Sequence, residues 1–137
     1  MFVLDCSTTM AWAFHDETTP GILDVLDLAA QEDCVAPSVW PLEVCNAVLT
    51  ARRRGRFSSE DVRLFLDLVA GLGVSVDELA LRRAIDQVLP VAVRHALSSY
   101  DAAYLELALR KNAPLATRDA GLARAARAAG VALAGDA

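Results

Sequence analysis

The sequence contains 137 residues, of which 55% are hydrophobic and 23% are charged. This length predicts one domain over residues 1–137, and this composition excludes an intrinsically disordered chain. The formal net charge of −5 argues against nucleic-acid binding through a broadly basic surface, and favours a protein that selects its substrate or depends on a partner.

Short strand-like and helix-like runs alternate along the chain, and apolar periodicity and capping residues set their bounds. In the first half of the chain, we predict a strand at 2–4, a helix at 7–14 capped by Ser7, a helix from 20, a strand at 34–36, a helix at 39–54 and a helix capped by Ser58 or Ser59. In the second half, we predict a strand at 74–76, a helix at 77–88, a helix at 100–110 capped by Ser98, a strand at 115–117, a helix at 119–129 and a candidate fifth strand at 131–133. Residues 91–97 fit neither pattern.

This alternation predicts a three-layer α/β/α fold, in which helices cover both faces of a parallel sheet of four to five strands. Ligands of such sheets bind beyond the carboxyl ends of the strands. Asp5 and Asp119 lie at the ends of predicted strands. Glu43 and Asp101 lie near the starts of predicted helices. All four carboxylates are therefore expected to face the same edge of the sheet.

Clustered carboxylates offer the hard oxygen ligands that Mg²⁺ or Mn²⁺ prefers, and a cation relieves the repulsion between them. We therefore interpret the four acids as catalytic residues and metal ligands for phosphate chemistry. Simpler roles exist for two of them, because Asp119 suits a helix N-cap and Asp101 suits a capping box with Ser98. Asp5 ends an apolar strand and Glu43 lies at the shoulder of a buried helix face, where an unpaired carboxylate is costly.

Two hydroxyl residues are candidates to support the acids. Ser7 and Thr117 each stand two positions from a strand-end aspartate, so they are suited to orient a carboxylate or a bound water. Helix capping and turn formation are the simpler roles for both. His15 and His95 show no paired metal-ligand spacing, and we expect neither to bind the metal.

The cysteines indicate the cellular compartment. The chain has three of them, Cys6, Cys34 and Cys45, and they form no CxxC pair. An odd number of cysteines favours reduced thiols, so we expect a cytoplasmic protein. Because no apolar stretch approaches about 20 residues, we expect no membrane partner.

Four segments around the acids resemble the motifs of a known family: 5–7 (DCS), 40–47 (WPLEVCNA), 100–105 (YDAAYL) and 116–119 (ATRD). Their order is similar to that of the four motifs of PIN domains, and the length and order of the set are most similar to VapC toxins of bacterial toxin–antitoxin pairs. The resemblance implies a Mg²⁺- or Mn²⁺-dependent endoribonuclease that uses the four acids. It also implies homodimerisation and inhibition by a cognate VapB-type antitoxin. Cys6, Cys45 and Arg118 depart from the usual residues of the family, which leaves the substrate preference open.

Five arginines are candidates for contacts with RNA phosphates, one of them beside the last acid and four at the end of the helix at 39–54: Arg118, Arg52, Arg53, Arg54 and Arg56. Cations at the carboxyl end of a helix also stabilise its macrodipole while they remain in solvent. A helix rises about 1.5 Å per residue, so Arg54 is expected roughly 16 Å from Glu43, suited to flanking nucleotides.

Other functions stay open. A structure-specific DNA nuclease would use the same chemistry. It stays open because nothing in the sequence reads a ribose 2′-hydroxyl. Among other Mg²⁺-dependent α/β phosphohydrolases, a haloacid-dehalogenase-like phosphatase would want an aspartate where Ser7 stands. A response-regulator receiver would want an acidic neighbour for Asp5 and a lysine after a late strand. A catalytically silent interaction domain would leave the four acids unexplained.

Overall fold

Strands and helices alternate in the computed structural model, which describes residues 1–135 except for the side chain of His15. In chain order the elements are β1 (Phe2–Leu4), α1 (Cys6–Ala11), α2 (Pro20–Gln31), β2 (Cys34–Pro37), α3 (Trp40–Arg53), α4 (Ser59–Gly71), β3 (Ser75–Asp77), α5 (Leu81–Arg83), α6 (Leu89–His95), α7 (Ser99–Lys111), β4 (Leu115–Ala116) and α8 (Ala120–Ala128). A 3₁₀ turn covers His15–Glu17, and a π-helical segment at Ala84–Val88 joins α5 to α6. Within residues 1–135, no helix combines the length and the apolar character needed to cross a membrane.

The four strands form one parallel sheet in the order β3-β2-β1-β4. Val3 of the central strand β1 pairs with Val35 of β2 on one side and with Leu115 of β4 on the other. All three residues of β1 are fully buried. Because successive side chains of a strand point to opposite faces, both faces of the sheet are covered. These observations confirm the predicted α/β/α fold.

The strand order reverses next to β1. The chain runs from β1 to β2 and β3 on one side and then returns to place β4 on the other side. In open α/β sheets, ligands bind in the crevice at such a switch point, outside the carboxyl ends of the strands. Asp5 directly follows β1, and Asp119 follows β4 after two residues. The topology therefore brings the two predicted strand-end acids to the edge where a ligand is expected.

Helix α7 is the buried helix of the fold. It packs against β1, β2 and β4, and every residue from Ala102 to Ala108 is buried. An α-helix that is covered on all sides has one well-defined position, because neighbouring elements contact each of its faces. The first turn of α7, which contains Asp101, is thereby held at a fixed place relative to the end of β1.

Two predicted helix starts are wrong. Helix α1 begins at Cys6 with Asp5 at its N-cap and ends at Ala11, so Ser7 lies inside the first turn. Residue Asp77 belongs to β3 and does not begin a helix. Its carboxylate accepts hydrogen bonds from Arg83 and Arg110, and this tertiary ion-pair network has no signature in the local sequence.

Two further predictions near apolar segments also differ from the structure. Pro90 does not end a helix, because it lies in the first turn of α6, where its missing N–H group costs little. The π-helical segment immediately before it is the place where the backbone hydrogen bonds change register. The candidate fifth strand at 131–133 forms only an isolated parallel bridge between Leu133 and Leu115.

Candidate active site

Asp5 is the most buried of the four acids, with 5% of its surface exposed. Its N–H group donates to the carbonyl oxygen of Ala116, which extends the pairing of β1 with β4 by one residue. Its Oδ2 atom accepts hydrogen bonds from Ser7 Oγ at 2.7 Å and from Thr117 Oγ1 at 2.5 Å. Burial raises the pKa of Asp5, while the two hydroxyl groups oppose that rise. The carboxylate is thus held in one orientation at an energetic cost.

The same two hydroxyl groups tie the loops after β1 and β4 together. Ser7 Oγ accepts a hydrogen bond from the N–H group of Arg118 at 2.9 Å. Thr117 Oγ1 accepts one from the N–H group of Asp119 at 3.0 Å. The sequence predicts that Ser7 caps α1, and this prediction is wrong. The side chain of Ser7 instead binds the adjacent loop and the carboxylate of Asp5.

Glu43 lies in the first turn of α3 and faces α7. The hydroxyl group of Tyr104, on α7, donates to Glu43 Oε1 at 2.6 Å. Tyr104 is fully buried, so this hydrogen bond fixes the carboxylate from inside the protein. The burial of its hydroxyl, together with this acceptor and nearby acids, raises the pKa of Tyr104 far above its ordinary value, which keeps the phenol protonated.

Asp101 is the third residue of α7, and its N–H group donates to Ser98 Oγ at 3.1 Å. The N-cap prediction for Ser98 is therefore correct. In α4 the equivalent aspartate, Asp61, accepts a hydrogen bond from the N–H group of Ser58, which completes a capping box. Among the described residues of α7 the capping contact runs in one direction only, so the carboxylate of Asp101 is not used as a cap.

Asp119 is the N-cap of α8, because its Oδ1 atom accepts a hydrogen bond from the N–H group of Leu122 at 2.8 Å. The simpler role that the sequence suggests for this residue is thus present in the structure. The contact occupies one carboxylate oxygen of an exposed side chain. Capping fixes the direction of the carboxylate without consuming both of its oxygens.

Repulsion links the four carboxylates into one group. Burial raises the pKa of Glu43, and the negative charges of Asp5 and Asp101 raise it further. Burial also raises the pKa of Asp101, with added contributions from Asp119 and Asp5. Such mutual effects require short separations, because Coulomb interactions between carboxylates fade quickly through solvent. Residues that are far apart in the sequence therefore form one pocket of negative charge.

The donor chemistry of this pocket fits a hard divalent cation. Its four carboxylates offer oxygen ligands, and a cation would remove the repulsion that raises their pKa values. In the part of the chain that the structure describes, no three side chains of His, Cys, Asp and Glu stand in an arrangement that would hold a metal ion. Mg²⁺ commonly uses one or two carboxylates together with water and substrate phosphate, so it does not require such a three-residue cage.

Sequence reasoning missed two supporting contacts. The first is Tyr104, although its position three residues after Asp101 places both side chains on one side of α7. The second is a relay in which Trp40 Nε1 donates to Thr9 Oγ1, and Thr9 Oγ1 donates to the main-chain oxygen of Asp5, each at 3.0 Å. Tyr100, which precedes Asp101 on the same helix, is 61% exposed.

The predicted basic residues divide into two groups. Arg54, Arg56 and Arg118 line one cleft together with Ser7 and Asp119. The guanidinium group of Arg52 instead donates to Ser59 Oγ at 2.6 Å, and Arg53 is exposed outside that lining. The predicted non-ligand His95 lies at the end of α6 and is half-buried, whereas the side chain of His15 is outside the described residues.

Comparison with known proteins adds two findings to this geometry. The family model described as PIN domain matches residues 2–128. The chain is also similar to a solved structure, the crystal structure of PAE2754 from Pyrobaculum aerophilum, with 25% sequence identity and a TM-score of 0.68. That similarity covers 90% of this chain and 83% of the other. The sequence matches no curated protein.

Proposed function

Because the chain belongs to the PIN domain family, whose members are generally metal-dependent nucleases, we propose that it is an endoribonuclease and the toxin of a type II toxin–antitoxin pair. The observation that supports this proposal most is the mutual electrostatic effect of the four acids, two of which follow the strands at the switch point of the sheet. The similarity of the four sequence motifs to those of VapC toxins supports the toxin role. The three cysteines are unpaired, which supports a cytoplasmic site of action.

In this proposal Asp5, Glu43, Asp101 and Asp119 form the site of Mg²⁺ or Mn²⁺, with one or two of them as direct ligands and the others acting through bound water. When bound, the cation would neutralise charge on the scissile phosphate and favour ionisation of the attacking water. Ser7 and Thr117 hold the carboxylate of Asp5, and Tyr104 holds that of Glu43, so two of the acids cannot rotate away. Such groups, which orient metal ligands, commonly matter nearly as much as the ligands themselves.

The proposed activity is tested with purified protein and labelled single-stranded RNA, single-stranded DNA and duplex DNA. We expect internal cleavage of RNA with Mg²⁺ or Mn²⁺ and none with EDTA. Cleavage of RNA that survives EDTA would exclude the metal-dependent reaction. Cleavage of DNA with RNA left intact would instead support the structure-specific DNA nuclease, which the same carboxylates would serve.

The proposed antitoxin requires an apolar binding surface. A groove of about 530 Å³ runs between the end of α1 and helix α4, and aromatic and leucine side chains form much of its lining: Trp12, Phe14, Phe57, Leu64, Phe65 and Leu68. Leu64 is 55% exposed and Leu68 is 39% exposed. Contiguous apolar surface of this kind is typical of sites where another protein binds. We assign this groove to the VapB-type antitoxin.

We assign the interface of the proposed homodimer to a second apolar surface. The helical stretch from α5 to α6 exposes four large side chains at intervals of four residues: Leu81 (76% exposed), Ile85 (51%), Leu89 (53%) and Val93 (76%). In a regular α-helix, positions four apart drift by about 40° per step, so such a stripe would spiral around the helix. The π-helical segment between α5 and α6 has a wider turn and offsets part of that drift, so the stripe spirals less than it would on a regular α-helix.

Replacing Ile85 by glutamate is expected to convert the dimer to a monomer, because the charge would be buried without a partner at the centre of the stripe. Sedimentation velocity at several protein concentrations measures the change. Leu23→Glu is the matched control, because Leu23 is 50% exposed on α2, away from the stripe. A wild-type protein that is monomeric throughout, or an Ile85→Glu variant that dimerises normally, would contradict this assignment.

A further inference from the structure

A cleft of about 490 Å³ includes one of the four acids, Asp119, in its lining. Ser7, which holds the carboxylate of Asp5, also lines the cleft, together with Arg54, Arg56 and Arg118. Its volume lies within the range of about 300–1,000 Å³ that is usual for ligand pockets. The cleft therefore adjoins the proposed reaction site directly, and its basic groups come from two distant parts of the sequence.

The turn at the end of α3 explains how two of these arginines reach the same cleft. Arg54 is the C-cap of the helix, and Gly55 adopts a left-handed conformation with φ of 72°. The N–H group of Arg56 then donates back to the carbonyl oxygen of Ala51 at 2.8 Å. A glycine at this position ends a helix and reverses the chain without steric cost. Arg54 and Arg56 thus flank one turn and do not continue along the helix axis.

Arg56 is held in place before any ligand binds. Its Nη2 atom donates to both carboxylate oxygens of Asp16, at 2.9 and 3.1 Å, and its guanidinium carbon lies 3.7 Å from the centre of the Phe14 ring. An exposed ion pair contributes little to stability, but the two contacts together restrict where the guanidinium group points. Such restriction lowers the entropic cost of binding an anion.

The charge of the cleft selects a type of ligand. Three guanidinium groups and two carboxylates, those of Glu17 and Asp119, line the cleft, and Asp16, outside the lining, already balances the charge of Arg56. A cation bound at Asp119 would leave the lining with a positive excess. Guanidinium groups are well suited to phosphate oxygens, because they donate several hydrogen bonds in one plane. The acids next to the cleft are the proposed place of the phosphate that is cleaved. If the scissile phosphate of a polynucleotide lies at the acids, the neighbouring backbone phosphate would lie in or near this cleft.

We infer that Arg54, Arg56 and Arg118 form a subsite for the backbone phosphate adjacent to the scissile one, so that the substrate must extend past the cut on that side. This inference rests on the proposed nuclease function. It distinguishes the cleft arginines from the other basic residues at the end of α3. Arg52 is engaged by Ser59, and Arg53 lies outside the cleft lining.

The inference is tested with variants of the full chain. Arg54→Ala and Arg118→Ala are each expected to lower kcat/KM for a long RNA by about tenfold at low salt, and to reduce the slope of log affinity against log salt by about 1. Arg53→Ala should cause a smaller loss. Arg63→Ala is the charge-matched control, because Arg63 is exposed on α4 and pairs with Glu60 and Asp67.

A chemical change in the substrate tests the same point. A single neutral methylphosphonate linkage is moved through an oligonucleotide around the cleavage position. At one neighbouring linkage we expect about tenfold weaker cleavage by the wild type, and little further loss with the Arg54→Ala/Arg118→Ala double variant, because both changes remove the same contact. We also expect slow cleavage of an oligonucleotide that ends at the scissile phosphate on that side.

The outcomes separate the subsite from the nuclease proposal. If the wild type cleaves RNA but Arg54→Ala and Arg118→Ala behave like Arg63→Ala, the subsite is wrong and the nuclease proposal stands. If the wild type cleaves no nucleic acid, the nuclease proposal fails. Fluorescence anisotropy then measures whether Arg54→Ala and Arg118→Ala weaken the binding of intact oligonucleotides, and equal binding by wild type and variants overturns the subsite. If a poly-glutamate peptide binds with the same dependence on the arginines while oligonucleotides do not bind, the cleft takes an acidic protein segment and the inference is overturned.

Discussion

Replacing Asp5 by asparagine is expected to reduce metal-dependent cleavage by at least about 1,000-fold, which corresponds to about 4 kcal/mol of transition-state stabilisation. Asp5 is the acid at the centre of the proposed site, because its charge acts on both Glu43 and Asp101. Asparagine keeps the size of the side chain and can accept the hydrogen bonds from Ser7 and Thr117. The loss should therefore come from the missing charge and not from a change of fold.

The same substitution is expected to stabilise the metal-free protein at neutral pH. Burial raises the pKa of Asp5 in the folded state above its ordinary value of about 3.9, so the folded protein binds this proton more tightly than the unfolded chain. Stability is consequently lost as the pH rises through the folded pKa, once the buried carboxylate must be charged. Asparagine carries no such cost, and it also relieves the repulsion on Glu43 and Asp101.

Thermal unfolding in EDTA measures this effect. The Tm of Asp5→Asn should exceed that of the wild type at neutral pH, and the difference should shrink in acid as Asp5 is protonated. Added Mg²⁺ should raise the Tm of the wild type more than that of the variant. Asp33→Asn is the control, because Asp33 is exposed just before β2, at the opposite edge of the sheet. Equal Tm values at every pH, together with unchanged cleavage, would remove Asp5 from the proposed site.

Replacing Tyr104 by phenylalanine is expected to weaken Mn²⁺ binding and cleavage by about 10- to 100-fold, the range usual for residues that orient metal ligands. The phenol donates to Glu43 Oε1 at 2.6 Å from a fully buried position. Phenylalanine keeps the ring but leaves that oxygen of Glu43 without its donor, so the carboxylate can rotate. The ring itself should still pack, because the substitution removes a single atom.

Electron paramagnetic resonance of free Mn²⁺ measures affinity directly and does not depend on turnover. Tyr100→Phe is the matched control, because Tyr100 lies on the same helix and is 61% exposed. We expect Tyr104→Phe to shift the Mn²⁺ titration while Tyr100→Phe leaves it unchanged. Normal Mn²⁺ affinity with a large loss of Tm would mean that the hydroxyl group of Tyr104 serves the core and has no role in orienting Glu43.

The parts of the fold that depend on local chemistry were predictable from the sequence. Short apolar runs bounded by polar residues predict β1 and β2, and the parallel sheet then follows from their alternation with helices. The predicted N-cap Ser98 is correct, and of the two candidates for α4 the structure uses Ser58, because a serine followed by an aspartate three residues later is a local signal. The convergence of strand ends at one edge is a property of any parallel sheet, so the general place of the acids also follows.

Features that depend on tertiary contacts were not predictable in the same way. Asp77 stays in β3 because Arg83 and Arg110 bind its carboxylate, and nothing near Asp77 in the sequence signals Arg110. The helical stretch continues through Pro90 because a π-helical segment precedes it, and hydrophobic periodicity does not encode such a segment. Arg118 shares a cleft with Arg54 through the folding of distant loops.

The central position of β1 has a consequence during protein synthesis. The carboxylate of Asp5 accepts a hydrogen bond from Thr117, which lies 112 positions later in the chain. Strand β1 also pairs with β4, which can form only after most of the chain has been synthesised. Contacts at such long sequence separation form late, because the ends of a very long loop must meet. A nascent chain on the ribosome therefore carries Asp5 and Glu43 long before it can assemble the pocket. Under the proposed function, cleavage would therefore begin only after translation of the last helix, α8.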